Sequence, residues 1–413
     1  MRSAVLWLQD HPRRATWLGT AALVLMAFAV YGQTLGRGWV VAPDDDMVWL
    51  RMVRGAHLWD IPSWFTHQPA FFYRPLTRIS FFLDWTVWGN NPLAFRISHL
   101  LLYIAAALAL GWFVYEVTRS RTAAFFAAAF YEVFAGNWEV AYWISARADI
   151  LAALFVLAAL ALLVRAERQQ NLWLWAGGVL CAVAGYSAKE MGLAVIPLVI
   201  VWAVVSTAPL RRSGRHWLWT GITVAILIAV AAGYWALHVK ATVMGTHHQT
   251  QLAHGQVFWR KAVMLGGEWW WRTPIIGYQG IVTGSWPPLV VLLIQPMPFI
   301  EFWGGLAMWV GALTLAARRQ WRSTVMLMAI YPLALLPVSG EIAVMPYRRF
   351  YYLPEAGSQA VTGFVCWALL MWCRERWPRW GWLALAPCIG LLGLHVHDAF
   401  VAVAPLTSHL FGR

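Results

Sequence analysis

The run LLLYIAAALALGWFV, residues 100–114, contains no charged side chain and decides the fold class of this protein. A hydrocarbon core about 30 Å thick is crossed by about 20 helical residues, and the apolar sequence around this run extends from Leu93 to Val117. Similar stretches recur along the chain, so we expect an all-α, polytopic membrane protein with about eleven transmembrane helices. The other predicted spans are Trp17–Thr34, Thr122–Phe134, Ile150–Val164, Leu172–Tyr186, Met191–Thr207, Trp217–Leu237, Phe299–Ala317, Ser323–Pro337, Ala356–Trp372 and Trp380–His397.

The composition excludes the soluble classes of protein. The chain of 413 residues is 61% hydrophobic and 12% charged, with a mean hydropathy of +0.58, whereas a soluble domain is about 45–50% apolar and about 25% charged. Such a chain cannot stay dissolved as a monomer, which excludes disordered proteins and soluble basic domains that bind nucleic acid. The cysteines all lie inside apolar runs, so we interpret them as small buried hydrophobes and predict neither a disulfide framework nor a cysteine metal site.

The distribution of arginine predicts how the chain is threaded. The net charge of +13 arises from 31 Lys and Arg against 18 Asp and Glu, and short loops that stay in the cytoplasm retain basic residues. Arg13 and Arg14 precede the first span, whose length and lack of a small-residue cleavage motif predict a retained anchor. We therefore expect a cytoplasmic amino terminus and arginines on every second connection. These arginines are Arg119, Arg121, Arg165, Arg168, Arg211, Arg212, Arg215, Arg318, Arg319, Arg322, Arg374, Arg376 and Arg379.

The opposite face is expected to carry the function. It receives most of the acidic residues and two long connections that are rich in Trp, Gly and Pro. We expect one membrane domain over residues 1–413, without a soluble repeat domain, with a first outer loop at 36–91 and a long outer loop at 238–298. Within these loops, Met47–Arg54 and Val257–Trp271 are amphipathic and are predicted to lie in the membrane interface with Trp and Met facing lipid.

Three adjacent aspartates, Asp44, Asp45 and Asp46, lie beyond the first span on the predicted outer side. Carboxylates this close repel one another, so the pKa of at least one should rise unless a cation lies nearby. The functional interpretation is a general base or a metal site, with Asp44 and Asp45 as ligands if a divalent cation such as Mg²⁺ or Mn²⁺ binds. The simpler explanation is a solvated acidic loop, and the sequence leaves both open.

Two further groups of charges lie next to predicted spans. Glu139, Arg147 and Asp149 belong to the run NWEVAYWISARADI, where Arg147 and Asp149 could simply pair at a helix end. Lys189 and Glu190, in SAKEMG, lie between two spans with little loop, and a charge at the centre of a bilayer costs at least about 2.5–3.5 kcal/mol. Retention of both charges favours a polar cavity over a lipid-facing position.

Arg348 and Arg349, in MPYRRFYYLPEAG, lie on the predicted outer face, where the positive-inside rule disfavours arginine. A guanidinium binds phosphate through two parallel hydrogen bonds. The pair therefore predicts a phosphate site, with neighbouring tyrosines such as Tyr352 contacting a lipid or a sugar. Snorkelling with cation–π packing on the aromatics is the structural alternative. His247 and His248 in the long outer loop lack the spacing of metal ligands, and no nucleotide-binding motif is present.

Four segments together resemble the membrane half of the C-type (GT-C) glycosyltransferase superfamily. The resemblance is greatest to the protein O-mannosyltransferases and to the transmembrane O-mannosyltransferases that carry tetratricopeptide repeats. The segments are PDDDMVWL, YRPLTRISFFLDWTVWGNNPLAFRISHLLLY, NWEVAYWISARADILAALF with SAKEMG, and RRFYYLPEAG, in the order of the family. They extend over residues 40–357, and the second is similar to the Arg-Pro-Leu entry of the family into its second span, which adds Arg74 to the candidate site.

The resemblance implies an inverting hexosyl- or pentosyltransferase that moves a single sugar from a polyprenyl-phosphate carrier to a hydroxyl on the outer face. It implies that Asp44 or Asp45 is the general base and that Asp46 belongs to the same catalytic group, with the register among the three open. No cofactor is certain, because metal dependence varies across the superfamily. The implied donor-phosphate residues are Arg348, Arg349, Lys189, Arg147 and Tyr352, and the implied supporting polar residues are Glu139, Asp149, Glu190 and Arg74.

Two other functions are compatible with the composition. A transporter or flippase of lipid-linked sugars would carry polar residues near the membrane midplane and related halves, and no internal repeat is present in the sequence. A polymerase or ligase of surface polysaccharide would also use a lipid carrier and outer loops. The acceptor is open among a surface protein such as a pilin, lipid A and an envelope glycan. The Arg, Ala and Trp bias suggests a bacterial inner membrane, with the active site in the periplasm.

Overall fold

The computed structural model describes residues 11–39, 45–66, 73–206, 214–242, 299–338 and 348–403, and all regular structure in these ranges is helical. The predicted all-α class is therefore confirmed. Short 3₁₀ turns join several of the helices. The α-helices of the described ranges are α1 (Pro12–Tyr31), α2 (Asp45–Val53), α3 (Ile61–Trp64), α4 (Pro75–Trp88), α5 (Pro92–Thr118), α6 (Arg121–Glu132), α7 (Trp138–Tyr142), α8 (Arg147–Gln169), α9 (Leu172–Ala188), α10 (Val195–Ser206), α11 (Gly214–Thr242), α12 (Phe299–Leu335), α13 (Tyr352–Arg376) and α14 (Leu385–Val403).

Six helical segments in the described ranges are long and apolar enough to cross a membrane. They contain α1, α5, α8, α11, α13 and α14, while α9 and α10 belong to shorter apolar helices. The described parts of the predicted spans fall largely on helices, with Thr207 outside the described residues. Phe299–Ala317 and most of Ser323–Pro337 belong to the single element α12, which is interrupted at Gln320 by φ −149° and ψ 69°. The chain is thus a multi-pass membrane protein, and the number of eleven spans stays a prediction.

The predicted first outer loop is largely helical. Its segment Met47–Arg54 corresponds to α2, as expected. The expectation that its tryptophan faces lipid is wrong, because Trp49 is buried and its ring stacks on Phe81 of α4 at a centroid distance of 5.4 Å. Burial of an aromatic ring against protein removes more of its apolar surface from water than interfacial contact does. The segment Val257–Trp271 lies outside the described residues.

The Arg74-Pro75-Leu76 motif begins the separate helix α4 rather than the second span. The chain then turns at Gly89, whose φ of +58° favours glycine. The side chain of Asn91 accepts hydrogen bonds from the main-chain N–H groups of Leu93 and Ala94, which caps the amino end of α5. This turn folds α4 back over the amino end of α5.

Helices approach closely at glycines in the bundle. A Cβ on Gly363 of α13 would lie 2.3 Å from the main-chain nitrogen of Ala127 in α6. Such close backbone contact is typical of small residues between membrane helices. The Tyr131 hydroxyl at the far end of α6 donates to the main-chain oxygen of Tyr352 at 2.9 Å. The start of α13 is thereby fixed beside the ends of α6 and α8.

The two ends of the bundle differ in charge. At one end, which we call the arginine end, Glu116 of α5 forms ion pairs with Arg119, Arg165 and Arg168. These arginines belong to connections that the sequence predicts on one side, and the structure brings them together. At the other end, which we call the acidic end, α4, the segment before α8, the turn after α9 and the start of α13 meet. Which end faces the cytoplasm stays a prediction.

Candidate active site

The acidic loop is anchored from both sides. Asp46 is fully buried, and its Oδ1 accepts hydrogen bonds from the main-chain N–H of Ser145 at 2.9 Å and from its hydroxyl at 2.6 Å. On the other side of the loop, the Arg96 guanidinium donates to the main-chain oxygen of Gly38 at 2.7 Å and to that of Tyr142 at 3.0 Å. Arg96 of α5 therefore holds the chain before the aspartates, and Ser145 holds it at Asp46.

Asp46 is the member of the aspartate run whose side chain the structure describes. The carboxylate of Asp46 is turned into the protein, where Ser145 binds it. Asp45 begins α2, but its side chain and the whole of Asp44 lie outside the described residues. Asp46 thus has a structural contact, and the assignment of the base among the three aspartates stays a prediction.

Arg147 lies at the start of α8 and is fully buried. Its Nη1 donates to Asp84 Oδ2 at 2.6 Å, and its Nη2 donates to the Ser98 hydroxyl at 3.1 Å. Its Cζ also lies 4.6 Å from the centroid of the Phe81 ring. The simple pairing of Arg147 with Asp149 is therefore wrong, because Arg147 binds Asp84 of α4 and Asp149 binds Lys189 in the turn after α9. Arg147 joins α8 to α4 and α5.

Lys189 and Asp149 form a buried ion pair. The Lys189 Nζ donates to Asp149 Oδ1 at 2.6 Å, and their side chains are only 1% and 2% exposed. The chain can fold back here because Gly192 has no Cβ, which would lie 2.3 Å from the carbonyl carbon of Gly185. The charges predicted to need a polar cavity are thus compensated by direct pairing. On its other side, Lys189 Nζ lies 4.5 Å from the centroid of the Phe350 ring.

Glu190 and Arg74 form a bidentate ion pair. Arg74 Nη2 donates to Oε1 at 2.6 Å and Arg74 Nε donates to Oε2 at 3.3 Å. Burial by itself would raise the pKa of the Glu190 carboxyl, but Arg74 and then Lys189 outweigh it and lower the pKa from 4.5 to about 2. This pair ties the segment before α4 to the turn after α9, and the hydroxyl of Thr77 adds a hydrogen bond to the main-chain oxygen of Ala188 at 2.9 Å.

Arg349 approaches the same place from the start of α13. Its main-chain N–H donates to Glu139 Oε2 at 3.2 Å, and its Cζ lies 4.4 Å from the centroid of the Trp143 ring. The Cζ lies 5.6 Å from the centroid of Phe350, the ring that Lys189 also contacts. Arg349 and Lys189 therefore converge on a single aromatic side chain. Both cations thus contact Phe350 at the acidic end, and the charge of Lys189 is also paired with Asp149.

The other predicted donor residues are placed less directly. Arg348 starts the 3₁₀ turn before α13, but its side chain lies outside the described residues. Tyr352 is fully buried, and its ring lies 4.9 Å from that of Tyr131 and 5.7 Å from that of Tyr103. Tyr352 therefore packs among the tyrosines of the bundle interior.

Sequence reasoning missed several residues of this cluster. Ser145 is one of them, although it lies in the run NWEVAYWISARADI together with Arg147. Its hydroxyl, next to a predicted helix start, could have indicated a hydrogen-bonding role. Asp84 and Ser98 were missed because the opposite partner of a buried arginine is not marked in the sequence. The missed contacts are those of Ser98 with Asp84, Arg96 with Gly38, Ser145 with Asp46, Trp143 with Arg349 and Phe350 with Lys189.

The described part of the chain contains no group of three or more His, Cys, Asp or Glu residues that could hold a metal ion. One oxygen of the Asp46 carboxylate, Oδ1, already accepts two hydrogen bonds from Ser145. A metal site at Asp44 and Asp45 stays a prediction.

Comparison with known proteins identifies the fold. Residues 80–235 match the family described as dolichyl-phosphate-mannose-protein mannosyltransferase. This range contains Asp84, Ser145, Arg147, Asp149 and Lys189, which are part of the polar cluster described above. The chain has a GT-C glycosyltransferase fold. The predicted resemblance is thus confirmed, and the family match covers less than half of the chain.

Two solved structures of the Archaeoglobus fulgidus oligosaccharyltransferase have a similar GT-C fold. In the complex with Zn and sulfate, the TM-score is 0.57 at 13% identity, and the match covers 96% of this chain and 53% of that one. In the form tethered to an acceptor peptide containing the NVT sequon, the TM-score is 0.50 at 14% identity, with 94% and 55% covered. The chain therefore spans about half the length of the oligosaccharyltransferase it matches.

ArnT from Cupriavidus metallidurans in the apo state matches with a TM-score of 0.49 at 14% identity, over 96% of this chain and 77% of that one. No curated protein sequence matches the chain.

Proposed function

We propose that the protein is an inverting glycosyltransferase that moves a single sugar from a polyprenyl-phosphate carrier to a hydroxyl acceptor. The observation that carries the proposal is the convergence of Lys189 and Arg349 on Phe350, at the same end of the bundle as the anchored aspartate loop. Cations and a carboxylate base are the two chemical requirements of this reaction. The GT-C fold and the family match support the same reaction class.

The base in this proposal is Asp44 or Asp45. The acceptor hydroxyl attacks the anomeric carbon, the bond from that carbon to the phosphate oxygen breaks, and the carboxylate takes the hydroxyl proton. An ordinary carboxylate is a weak base toward an alcohol, so proton transfer occurs late, as negative charge leaves with the phosphate. Asp46 takes no part in proton transfer. It holds the loop against Ser145.

The leaving polyprenyl phosphate gains negative charge in the transition state. Cations fixed beforehand beside that charge contribute most to such catalysis. Lys189 and Arg349 fill this role in the proposal, and Arg348 extends the same site. Arg147 is buried against Asp84 and acts as a positioning residue for the segment that carries Ser145.

The site is proposed to face the periplasm of a bacterial inner membrane. The arginine end then lies in the cytoplasm, as the positive-inside rule requires. The acceptor is a hydroxyl of a surface protein such as a pilin, of lipid A or of an envelope glycan. A flippase would not need a carboxylate beside the acceptor, and this difference is used in the experiment.

The test is a mass-spectrometric survey of glycans and polyprenyl-phosphate sugars in a strain that lacks the gene. The strain is complemented with wild type, with Asp44→Asn/Asp45→Asn, or with Asp60→Asn as a control that removes a carboxylate from the same loop. We expect wild type and Asp60→Asn to restore one sugar on an acceptor, and the double variant to leave that acceptor bare while the sugar carrier accumulates. Restoration by the double variant would remove the proposed base and favour transport.

A further inference from the structure

The arginine end carries a second polar cluster that the proposed reaction does not use. Glu116, whose side chain is 2% exposed, accepts a hydrogen bond at Oε2 from Arg119 Nη1 at 3.0 Å and another from Arg168 Nη2. At Oε1 it accepts from Trp112 Nε1 at 3.2 Å, and Arg165 Nη1 lies 3.9 Å away. A single buried carboxylate thus holds three guanidinium groups together.

Positive charge exceeds negative charge at this place. The side chains of Arg119, Arg165 and Arg168 are 51%, 42% and 38% exposed, so water or a ligand can reach them. The second carboxylate of the segment, Glu167, accepts from the indole of Trp202 at 2.7 Å. Residues 116–121 and 165–168 together contain four basic side chains and two acidic ones. The basic residues are Arg119, Arg121, Arg165 and Arg168, and the acidic residues are Glu116 and Glu167.

Helix geometry explains part of the cluster. The carboxyl ends of α5 and α8 attract cations, and Arg168 Nη1 indeed donates to the main-chain oxygen of Glu116 at 3.3 Å. Arg165 is different. Its ion pair with Glu116 is long, and its Nε makes no hydrogen bond within the described ranges. Its charge is therefore only partly compensated by the protein.

The surroundings of the cluster indicate that it lies at the depth of the lipid head groups. Both α5 and α8 belong to segments that are long and apolar enough to cross a membrane, and the arginines lie at their ends. The next helix begins there with Leu172 and Trp173, which are 58% and 86% exposed. An exposed tryptophan beside apolar side chains is typical of the membrane–water interface.

We propose that this cluster binds the phosphate of an anionic phospholipid head group, with Arg165 and Arg119 as its ligands. The geometry fits the ligand because a guanidinium binds phosphate through parallel hydrogen bonds, and because basic pockets between membrane helices bind anionic head groups. Glu116 keeps the two arginines in place. Arg119 Nη2 also donates to the Tyr115 hydroxyl at 3.3 Å, so the 42% exposed guanidinium of Arg165 offers most of the remaining donors. The proposal does not depend on the sugar-transfer chemistry at the acidic end.

The experiment measures lipid retention by the full chain in detergent with native mass spectrometry. Phosphatidylglycerol is titrated in parallel with phosphatidylethanolamine, which carries a phosphate but no net charge, and with inorganic phosphate as a competitor. The variant is Arg165→Gln. The matched control is Arg376→Gln, which removes an equally positive, exposed side chain from the last turn of α13.

We expect wild type and Arg376→Gln to retain phosphatidylglycerol in preference to phosphatidylethanolamine, and Arg165→Gln to bind phosphatidylglycerol about tenfold more weakly, a loss of about 1.4 kcal/mol. Equal retention by Arg165→Gln and wild type would overturn the proposal, and so would an equal loss in the control or displacement by inorganic phosphate. If Arg165→Gln does not fold, Arg165→Lys keeps the charge but lacks the planar fork. Reduced selectivity in that variant supports the site, and unchanged selectivity refutes it.

Discussion

The buried pair of Lys189 and Asp149 offers the sharpest test of the candidate site. Both side chains are almost fully excluded from solvent, at 1% and 2% exposure, and the two charged atoms lie 2.6 Å apart. Removal of one partner leaves the other charge buried and unpaired, which costs about 3–5 kcal/mol, whereas replacement of both by apolar residues of similar size is often neutral. Because solvent hardly reaches either group, this range needs no reduction for screening.

We therefore expect Lys189→Met and Asp149→Leu each to destabilise the folded state by about 3–5 kcal/mol. The double variant Lys189→Met/Asp149→Leu should return to within about 1 kcal/mol of wild type, since no unpaired charge remains. Unfolding by sodium dodecyl sulfate in mixed micelles, followed by tryptophan fluorescence, measures all four proteins under one condition.

Transfer activity separates the structural task of Lys189 from its proposed role at the phosphate. The double variant should be folded yet inactive, because methionine cannot stabilise the leaving phosphate. Two results would refute the reasoning. If Lys189→Met is as stable as wild type, the pair is not desolvated as described. If the stable double variant transfers sugar at the wild-type rate, Lys189 does not serve the donor.

Three further outcomes are expected. Ser145→Ala removes one of the two donors to Asp46 and should lower the free energy of unfolding by about 1–3 kcal/mol. The kcat of the detergent-solubilised protein should fall at least tenfold, and an unchanged kcat would show that this anchor is dispensable. The pKa of Glu190 is lowered from 4.5 to about 2, so its stabilising contribution is present above pH 4.5 and is lost as the pH falls toward 2. Thermal unfolding against pH should show this loss in wild type, and Arg74→Gln should flatten it; parallel curves would contradict the assignment. Gly363→Ala forces a Cβ against the backbone of Ala127 and should lower the free energy of unfolding by about 1–3 kcal/mol or more. The control Gly233→Ala, whose Cβ meets nothing within 4 Å, should leave the unfolding midpoint near that of wild type.

The sequence by itself determined the helices and their membrane character. Hydropathy over a span such as Leu93–Val117 is a local property, and the bilayer imposes a length that a stretch of sequence either meets or fails to meet. The connections that carry arginine could also be recognised in the sequence, because successive membrane helices run in opposite directions and every second connection lies on the same side. The resemblance of the four segments was likewise carried by residues close together in the sequence.

Only the tertiary structure decided which charged groups are partners. Arg147 binds Asp84 rather than its neighbour Asp149, and Asp149 binds Lys189 instead, since helix packing places these groups side by side across long stretches of chain. A buried charge must find an opposite charge, but the sequence does not state which one. The same reason separates Asp46 from the other aspartates. Its role as an anchor depends on Ser145, which reaches it only after the segment before α8 has folded against α2.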